Sequence, residues 1–189
     1  MITRIDHAEF DTPGDALPRP HANCYWLAPG RVLAGQYPAA DDAAQRLRQI
    51  DALLDAGITH CIDLTHESEV LPAYAELLAL RAAARGCVAS AQRFSVADFG
   101  VPSSEGMRRT LAAIDTALSI GGTVYIHCRA GIGRTGTVVG CLLREQGLDA
   151  DAAMAVIRQK WRAMAKLAAA PHSPETDEQR DFIAAWPAR

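Results

Sequence analysis

Long apolar runs are missing from this chain. No stretch reaches membrane-spanning length without a charged or turn residue, which argues against an apolar spanning helix. The opening residues Met1-Ile2-Thr3-Arg4-Ile5-Asp6-His7 contain no apolar signal core. Basic blocks are missing too. The net charge is −3, and arginine far outnumbers lysine without clustering, so nucleic acid binding has no compositional support. Trp26, Trp161 and Trp186 are too dispersed for a base-stacking surface. Cysteine is sparse and odd in number, at positions 24, 61, 87, 128 and 141, which speaks against a disulfide framework. Neither the cysteines nor His7, His21, His60, His66 and His172 have the paired spacing of a metal site. The expectation is a soluble, cytoplasmic protein without metal or cofactor, without membrane insertion and without a nucleic acid partner. Oligomeric state is not readable from composition.

What is present is an ordinary globular balance. The chain has 189 residues, 49% hydrophobic and 22% charged, which suits a single domain with a sizeable core. Residues 1–22 carry Pro13, Gly14, Pro18 and Pro20 with little periodicity and read as an irregular lead-in. Cys24–Leu27 and Arg31–Gly35 read as short strands around a Pro29-Gly30 turn.

From Asp41, taken as the cap, Leu47, Ile50, Leu53 and Leu54 share one helical face, and Gly57 ends the helix. A strand over 58–65, a helix over about 71–85 presenting Leu77, Leu78 and Leu80, and a third core strand over 88–96 follow. Ser103 or Ser104 caps a helix that stops at Gly121-Gly122. A strand then enters Val124–His127, and a helix follows Arg134 with Val138, Val139, Leu142 and Leu143, apolar almost all round near its start and therefore buried. Another helix spans about 149–164, with Ala153, Val156, Ile157 and Trp161 inward. After a loop over 166–174, Ser173-Pro174-Glu175 reads as a cap followed by Pro at the first helical position. Strands alternating with helices imply an α/β fold with a largely parallel sheet.

The informative stretch is Val124-Tyr125-Ile126-His127-Cys128-Arg129-Ala130-Gly131-Ile132-Gly133-Arg134-Thr135-Gly136. It reads as strand, tight loop and helix start. Such a loop can turn its N–H groups inward around an oxyanion at a helix N-terminus. Cys128 supplies a thiol at the bottom. Its reactive thiolate form is favoured by the helix terminus, the inward amides, Arg134 and the neighbouring His127. Arg134 offers a bidentate guanidinium fork to two phosphoryl oxygens. Thr135 can donate its hydroxyl to the sulfur. His127 points to the opposite face of its strand from Cys128, which makes it a poor general base. Asp98 is the candidate acid, on the loop Val96-Ala97-Asp98-Phe99-Gly100-Val101-Pro102. Asp63, inside a predicted strand, and Asp115, on a predicted helix, are poorer places for a mobile acid.

The HC-x5-R-[ST] pattern resembles the signature of the cysteine-dependent protein tyrosine phosphatase superfamily, which includes the dual-specificity enzymes. AGIGRTG is closer to the tyrosine-specific members, and Leu33-Ala34-Gly35-Gln36-Tyr37-Pro38 resembles the opening strand of bacterial relatives. The resemblance implies a central mixed, largely parallel sheet flanked by helices, a phosphate loop over His127–Arg134, and a phosphocysteine intermediate on Cys128.

The loop around Asp98 resembles the family's mobile acid loop, W-P-D-x-G-x-P, with Val96 and Ala97 in place of Trp and Pro. Glu175-Thr176-Asp177-Glu178-Gln179 resembles the family's Q-T-x-x-Q segment, which orients the attacking water. Glu175 replaces the first Gln and Gln179 matches the second. Arg129 stands where a small residue is common, either solvated or beside a second acidic group of the substrate. Cys141 is a core cysteine or a redox partner of Cys128. The implied activity is hydrolysis of phosphotyrosine, with phosphoserine and phosphothreonine as further targets, in proteins. A phosphoinositide or other small phosphoester is the alternative, and a non-catalytic phosphate-binding module is the reading from another class. The Arg134-Thr135 ending and the Asp98 loop discriminate against a sulfur-transfer or arsenate-handling enzyme.

Overall fold

The computed structural model describes residues 3–188. Its centre is a five-stranded sheet made of β1 (Cys24–Ala28), β2 (Val32–Gly35), β3 (His60–Asp63), β4 (Ser90–Arg93) and β5 (Val124–His127). The spatial order is β1-β2-β5-β3-β4. β1 and β2 are antiparallel across the Pro29-Gly30 turn, where Gly30 takes φ 70°. The other pairings are parallel. Gly35 pairs with His127, His127 with Asp63, and Asp63 with Arg93. Four parallel strands therefore end in one row. The segments that follow them all leave from the same edge, which is where open α/β sheets place their ligands.

Alternation along the strands builds a core on each face. Leu33, Cys61 and Tyr125 pack with Ile50 and Leu53 of α2 (Ala43–Asp55) and Leu78 of α3 (Ala75–Ala84). Ala34, Ile62 and Ile126 pack on the other face against α4 (Ser104–Ser119), α5 (Gly133–Glu145), α6 (Ala150–Trp161) and α7 (Asp177–Ala185). Each fully buried large side chain there contributes about 1.5–3 kcal/mol of transfer free energy. The apolar run after Arg134 is the most enclosed helix: 12 of the 13 residues of α5 are buried.

Several expectations are corrected. Asp42, not Asp41, caps α2 through the Gln45 N–H; adjacent aspartates offer the same chemistry, and backbone geometry selects one. Leu47 is exposed, and Leu80 on α3 is 69% exposed, because only the Ile50–Leu53 and Leu78–Ala82 stripes meet the sheet. β4 is a short edge strand with mostly exposed side chains, not a core strand. The segment before α7 is not capped by Ser173, whose hydroxyl donates to Ile132 O at 2.8 Å. Thr176 caps α7 in a capping box with Gln179. The lead-in contains one helical turn, His7–Phe10, with Ile5 and Phe10 in the core. Buried Lys160 pins it to α6 by donating to Glu9 O at 3.0 Å and Thr12 O at 2.6 Å. A 3-10 turn, Ala165–Ala168, interrupts the expected loop before α7.

Candidate active site

β5 ends at His127 and α5 begins at Gly133, so Cys128 to Ile132 form the loop between them. Cys128 is 2% exposed. The Gly131 N–H donates to Cys128 Sγ at 3.2 Å. Gly131 takes φ +73°, and a Cβ there would lie 2.3 Å from the Gly35 carbonyl carbon. Only glycine allows that left-handed turn and that approach to the end of β2. Tyr37 N–H donates to Arg129 O at 3.1 Å and ties the loop to the same segment. No side chain caps the N-terminus of α5, so its first N–H groups are free of side-chain partners and suited to an anion.

Arg134, on the first turn of α5, is 3% exposed. Its Nη1 donates to Val96 O at 3.1 Å, and its two Nη atoms grip both carboxylate oxygens of Glu69, Nη2 to Oε2 at 3.2 Å. Nη2 also lies 2.8 Å from Asp98 Oδ1. Three post-strand segments, carrying Glu69, Asp98 and Arg134, thus converge beside Cys128. Burial works against both charges of the Glu69–Arg134 pair. Burial is the largest single influence on each, but their mutual hydrogen bonds, the His66 N–H on Glu69 and the nearby charges together outweigh it, holding the Glu69 carboxyl below its ordinary range and the Arg134 guanidinium above its own.

Asp98 is half exposed on its loop, at 50% of its side chain. The next residue, Phe99, has φ 60°, the only non-glycine positive φ among the described residues. Gly100 O accepts from Gln179 Nε2 at 3.1 Å. Gln179 is fully buried, and its Oε1 accepts from the Glu175 and Thr176 N–H groups at 3.0 and 3.2 Å. Its carboxamide also lies where a Cβ on Gly133 would fall, 2.7 Å away. Gln179 therefore braces the acid loop and the start of α5 together. Glu175 itself is exposed and meets Gln179 through its backbone.

The sequence-derived residues divide. Cys128, Arg134 and Asp98 come together. The Thr135 hydroxyl is buried without a hydrogen-bond partner, so the bond to sulfur is not made in this conformation. Arg129 is exposed, and its charge reaches Glu69.

His127 corrects an expectation. It is fully buried on the α2/α3 face, with Nε2 2.6 Å from Tyr74 OH and the rings of Tyr37, Tyr74 and Tyr125 around it. Burial lowers its pKa to about 4. A neutral imidazole lends no positive charge to the thiolate. Asp63 is buried and accepts from Thr65 and Arg93, while Asp115 holds the Thr3 N–H on α4; neither is a mobile acid. Burial also pushes up the Cys141 thiol in the core, and all five cysteines are free. Among the described residues, no group of three or more His, Cys, Asp or Glu is arranged to hold a metal ion.

Sequence reasoning missed Glu69 and Lys166. Glu69 lies in a motif-free segment between β3 and α3. Lys166, on the 3-10 turn, donates to Ala130 O at 2.6 Å and to Gln36 Oε1 at 3.0 Å. The one available signal was that lysine is rare in this chain.

Two imidazoles, the buried His127 and the half-buried His21, set a pH dependence of stability. His21, 3.0 Å from Tyr125 OH, is also lowered to about 4, by burial first and then by Lys166 and Arg19. The unfolded chain protonates each near 6.5, the folded chain only near 4. Between these values the unfolded state binds more protons, so stability falls as pH drops from about 6.5 toward 4, by a few kcal/mol for each at most. The urea midpoint is expected to be lower at pH 5 than at pH 7.5. An equal or higher midpoint at pH 5 contradicts the assignment of these two groups.

Comparisons with known proteins bear on the fold and the family. Residues 21–183 match the family model described as "PTP-SAK: Swiss Army Knife protein, DSP-PTPase phosphatase domain". A stretch of 62 residues is 39% identical to the tyrosine-protein phosphatase cdc-14 of Caenorhabditis elegans, covering 32% of this chain and 8% of that protein. The active form of Tk-PTP superposes with a TM-score of 0.63 at 27% identity, over 84% of this chain and 92% of that one. PTPMT1 in complex with PI(5)P shares the fold, with a TM-score of 0.61 at 17% identity over 89% and 92% of the two chains.

Proposed function

The chain belongs to the family of DSP-PTPase phosphatase domains, and on that premise we propose that it hydrolyses phosphotyrosine in protein substrates through a phosphocysteine intermediate. Phosphoserine and phosphothreonine are further targets of the same site. The observation that carries the reading is the meeting of Cys128, Arg134 and Asp98, with Arg134 Nη2 2.8 Å from the carboxylate. The thiol is recessed at 2% exposure, while Phe99 stands 57% exposed beside Asp98. A recessed nucleophile favours a long phosphoester such as an aryl phosphate, and the exposed Phe99 ring lies on the same loop as the candidate acid. Exposed Arg129 favours the alternative, a phosphoinositide or other phosphoester with a second acidic group.

The Cys128 thiolate attacks phosphorus in line with the ester oxygen. Arg134 turns its fork to two of the non-bridging oxygens, and loop N–H groups take the remaining lone pairs as charge redistributes. The P–O ester bond breaks, and Asp98 gives its proton to the departing oxygen. Water then attacks the phosphocysteine. Asp98 takes a proton from that water, the P–S bond breaks, and phosphate leaves with the thiolate restored. The second N–H of Gln179 Nε2 is the part of its carboxamide left to contact the water, since the first donates to Gly100 O and Oε1 is held by two backbone N–H groups. The unpartnered Thr135 hydroxyl is free to donate to sulfur as the P–S bond breaks.

Release of nitrophenol from p-nitrophenyl phosphate in the presence of a chelator tests the reaction. Turnover without added metal is expected. Phosphate binding without any turnover would instead identify a non-catalytic phosphate-binding module. Asp98→Asn is expected to slow turnover by about 10²- to 10⁴-fold on an alkyl phosphate. The loss should be smaller on p-nitrophenyl phosphate, whose leaving group needs less protonation. Equal losses on both substrates would move the acid role elsewhere.

A further inference from the structure

The chain contains only two lysines beside seventeen arginines, and both are tied into the structure by hydrogen bonds. Lys160 pins the N-terminal lead-in. Lys166 has a different place. It rises from the 3-10 turn Ala165–Ala168 onto the outer arm of the loop that holds Cys128. One N–H of its ammonium donates to Ala130 O at 2.6 Å and another to Gln36 Oε1 at 3.0 Å. Gln36 directly follows β2, and its own carbonyl accepts from Tyr125 OH on β5. Lys166 therefore clamps the loop arm to the sheet edge. The residue after Ala130 is Gly131, whose N–H reaches the Cys128 sulfur and where a Cβ would collide with the backbone of Gly35 and Gln36. The clamp thus grips the carbonyl of the peptide unit whose N–H, on Gly131, donates to the Cys128 sulfur.

The charges around Cys128 come from several elements. Arg134 on α5 carries a full positive charge but is already shared with Glu69 and Asp98. His127 on β5 is neutral. Tyr25 on β1 and Tyr125 on β5 are buried phenols that stay protonated. Arg129, next to Cys128 in the chain, is exposed with its charge acting on Glu69, whereas Lys166 gives both its side-chain bonds to neutral oxygens on the loop arm and the end of β2.

We propose that Lys166 is a positioning residue for the nucleophile: by clamping Ala130 to Gln36 it holds the Gly131 N–H on the Cys128 sulfur and sets a second positive charge beside the thiolate. An ammonium suits this place because three donors radiate from one small centre, whereas the planar guanidinium fork spreads its donors apart. The inference rests on Cys128 being the nucleophile of the proposed reaction.

The test uses Lys166→Gln, Lys166→Arg and Gln36→Leu. Alkylation of Cys128 by iodoacetamide is followed across pH at the level of its peptide, because Cys87 is exposed and also reacts. In Lys166→Gln the Cys128 profile is expected to move toward higher pH by about one pH unit. Its kcat on p-nitrophenyl phosphate should fall by about ten- to a hundredfold, with KM changing less. Lys166→Arg should restore most of the alkylation profile, because it keeps the charge, and only part of kcat. Gln36→Leu keeps the charge and loosens the clamp, so kcat should fall with little movement of the profile.

A folded Lys166→Gln protein with the wild-type profile and wild-type kcat overturns the proposal. So does a lower urea midpoint as the sole effect. Should Lys166→Gln fail to fold, Lys166→Arg and Gln36→Leu decide, and wild-type kcat in both overturns it. If the wild-type protein itself releases no nitrophenol, the phosphatase reading fails first, and that result is distinct from a failure confined to Lys166.

Discussion

Cys128→Ser is expected to abolish turnover, by on the order of 10⁵- to 10⁶-fold, while phosphate and a phosphotyrosine peptide still bind. The substitution is nearly isosteric and leaves the parts that hold the anion in place. Gly131 keeps its left-handed turn against Gly35, and Arg134 keeps Glu69 and Val96. What is lost is ionisation. A serine hydroxyl does not become an anion near neutral pH, and no neutral base replaces it here. His127 faces the other side of the sheet and is bonded to Tyr74. Nitrophenol release and calorimetric binding of the peptide separate the two functions. Substantial turnover in this variant would remove Cys128 from the reaction. Loss of binding together with turnover would show that the sulfur shapes the loop rather than reacting in it.

Arg134→Lys is expected to lower kcat by about 10²- to 10⁴-fold although the charge is kept. An ammonium cannot grip two phosphoryl oxygens in one plane. Nor can it span the present partners: both oxygens of Glu69, Val96 O and Asp98 Oδ1 are all taken by the two Nη atoms. The same substitution weakens the hold on Glu69. That carboxylate is stabilised by Arg134 against the cost of its burial, and the contribution is present at neutral pH and lost as pH falls through its lowered pKa. Arg134→Lys should therefore also reduce stability at pH 7 and narrow the stability difference between pH 7 and pH 3. Wild-type kcat in a folded Arg134→Lys protein would show that the fork is not used.

The candidate site was legible because it is local. Cys128, Gly131 and Arg134 lie within one loop and the first turn of the helix after it, and Asp98 sits in a short run with its own recognisable spacing. The antiparallel β1–β2 pair was readable from Pro29-Gly30, and the buried α5 from its continuous apolar start. What was hidden is long-range. Glu69 and Arg134 are 65 positions apart, and Lys166 and Ala130 are 36 apart. No periodicity or turn signal connects such pairs; the alignment of strand ends brings Glu69 to Arg134, and the 3-10 turn after α6 brings Lys166 to Ala130. β4 was polar in sequence, yet its edge position depends on the strand order, which single-strand patterns do not encode. The Thr176 cap was within reach, because Thr176-Asp177-Glu178-Gln179 is itself a capping-box pattern. Ser173 offered the same hydroxyl and a following proline, and only the bond from Ser173 to Ile132 O shows that it is used elsewhere.

Rapid quenching of the enzyme during turnover of a phosphotyrosine peptide, followed by mass spectrometry of the Cys128 peptide, tests the central claim most directly. A phosphoryl group on the Cys128 sulfur during steady-state turnover is the expected result, with none on the same peptide from Cys128→Ser. Steady turnover with Cys128 unmodified, or with the phosphoryl group on another residue, would contradict it.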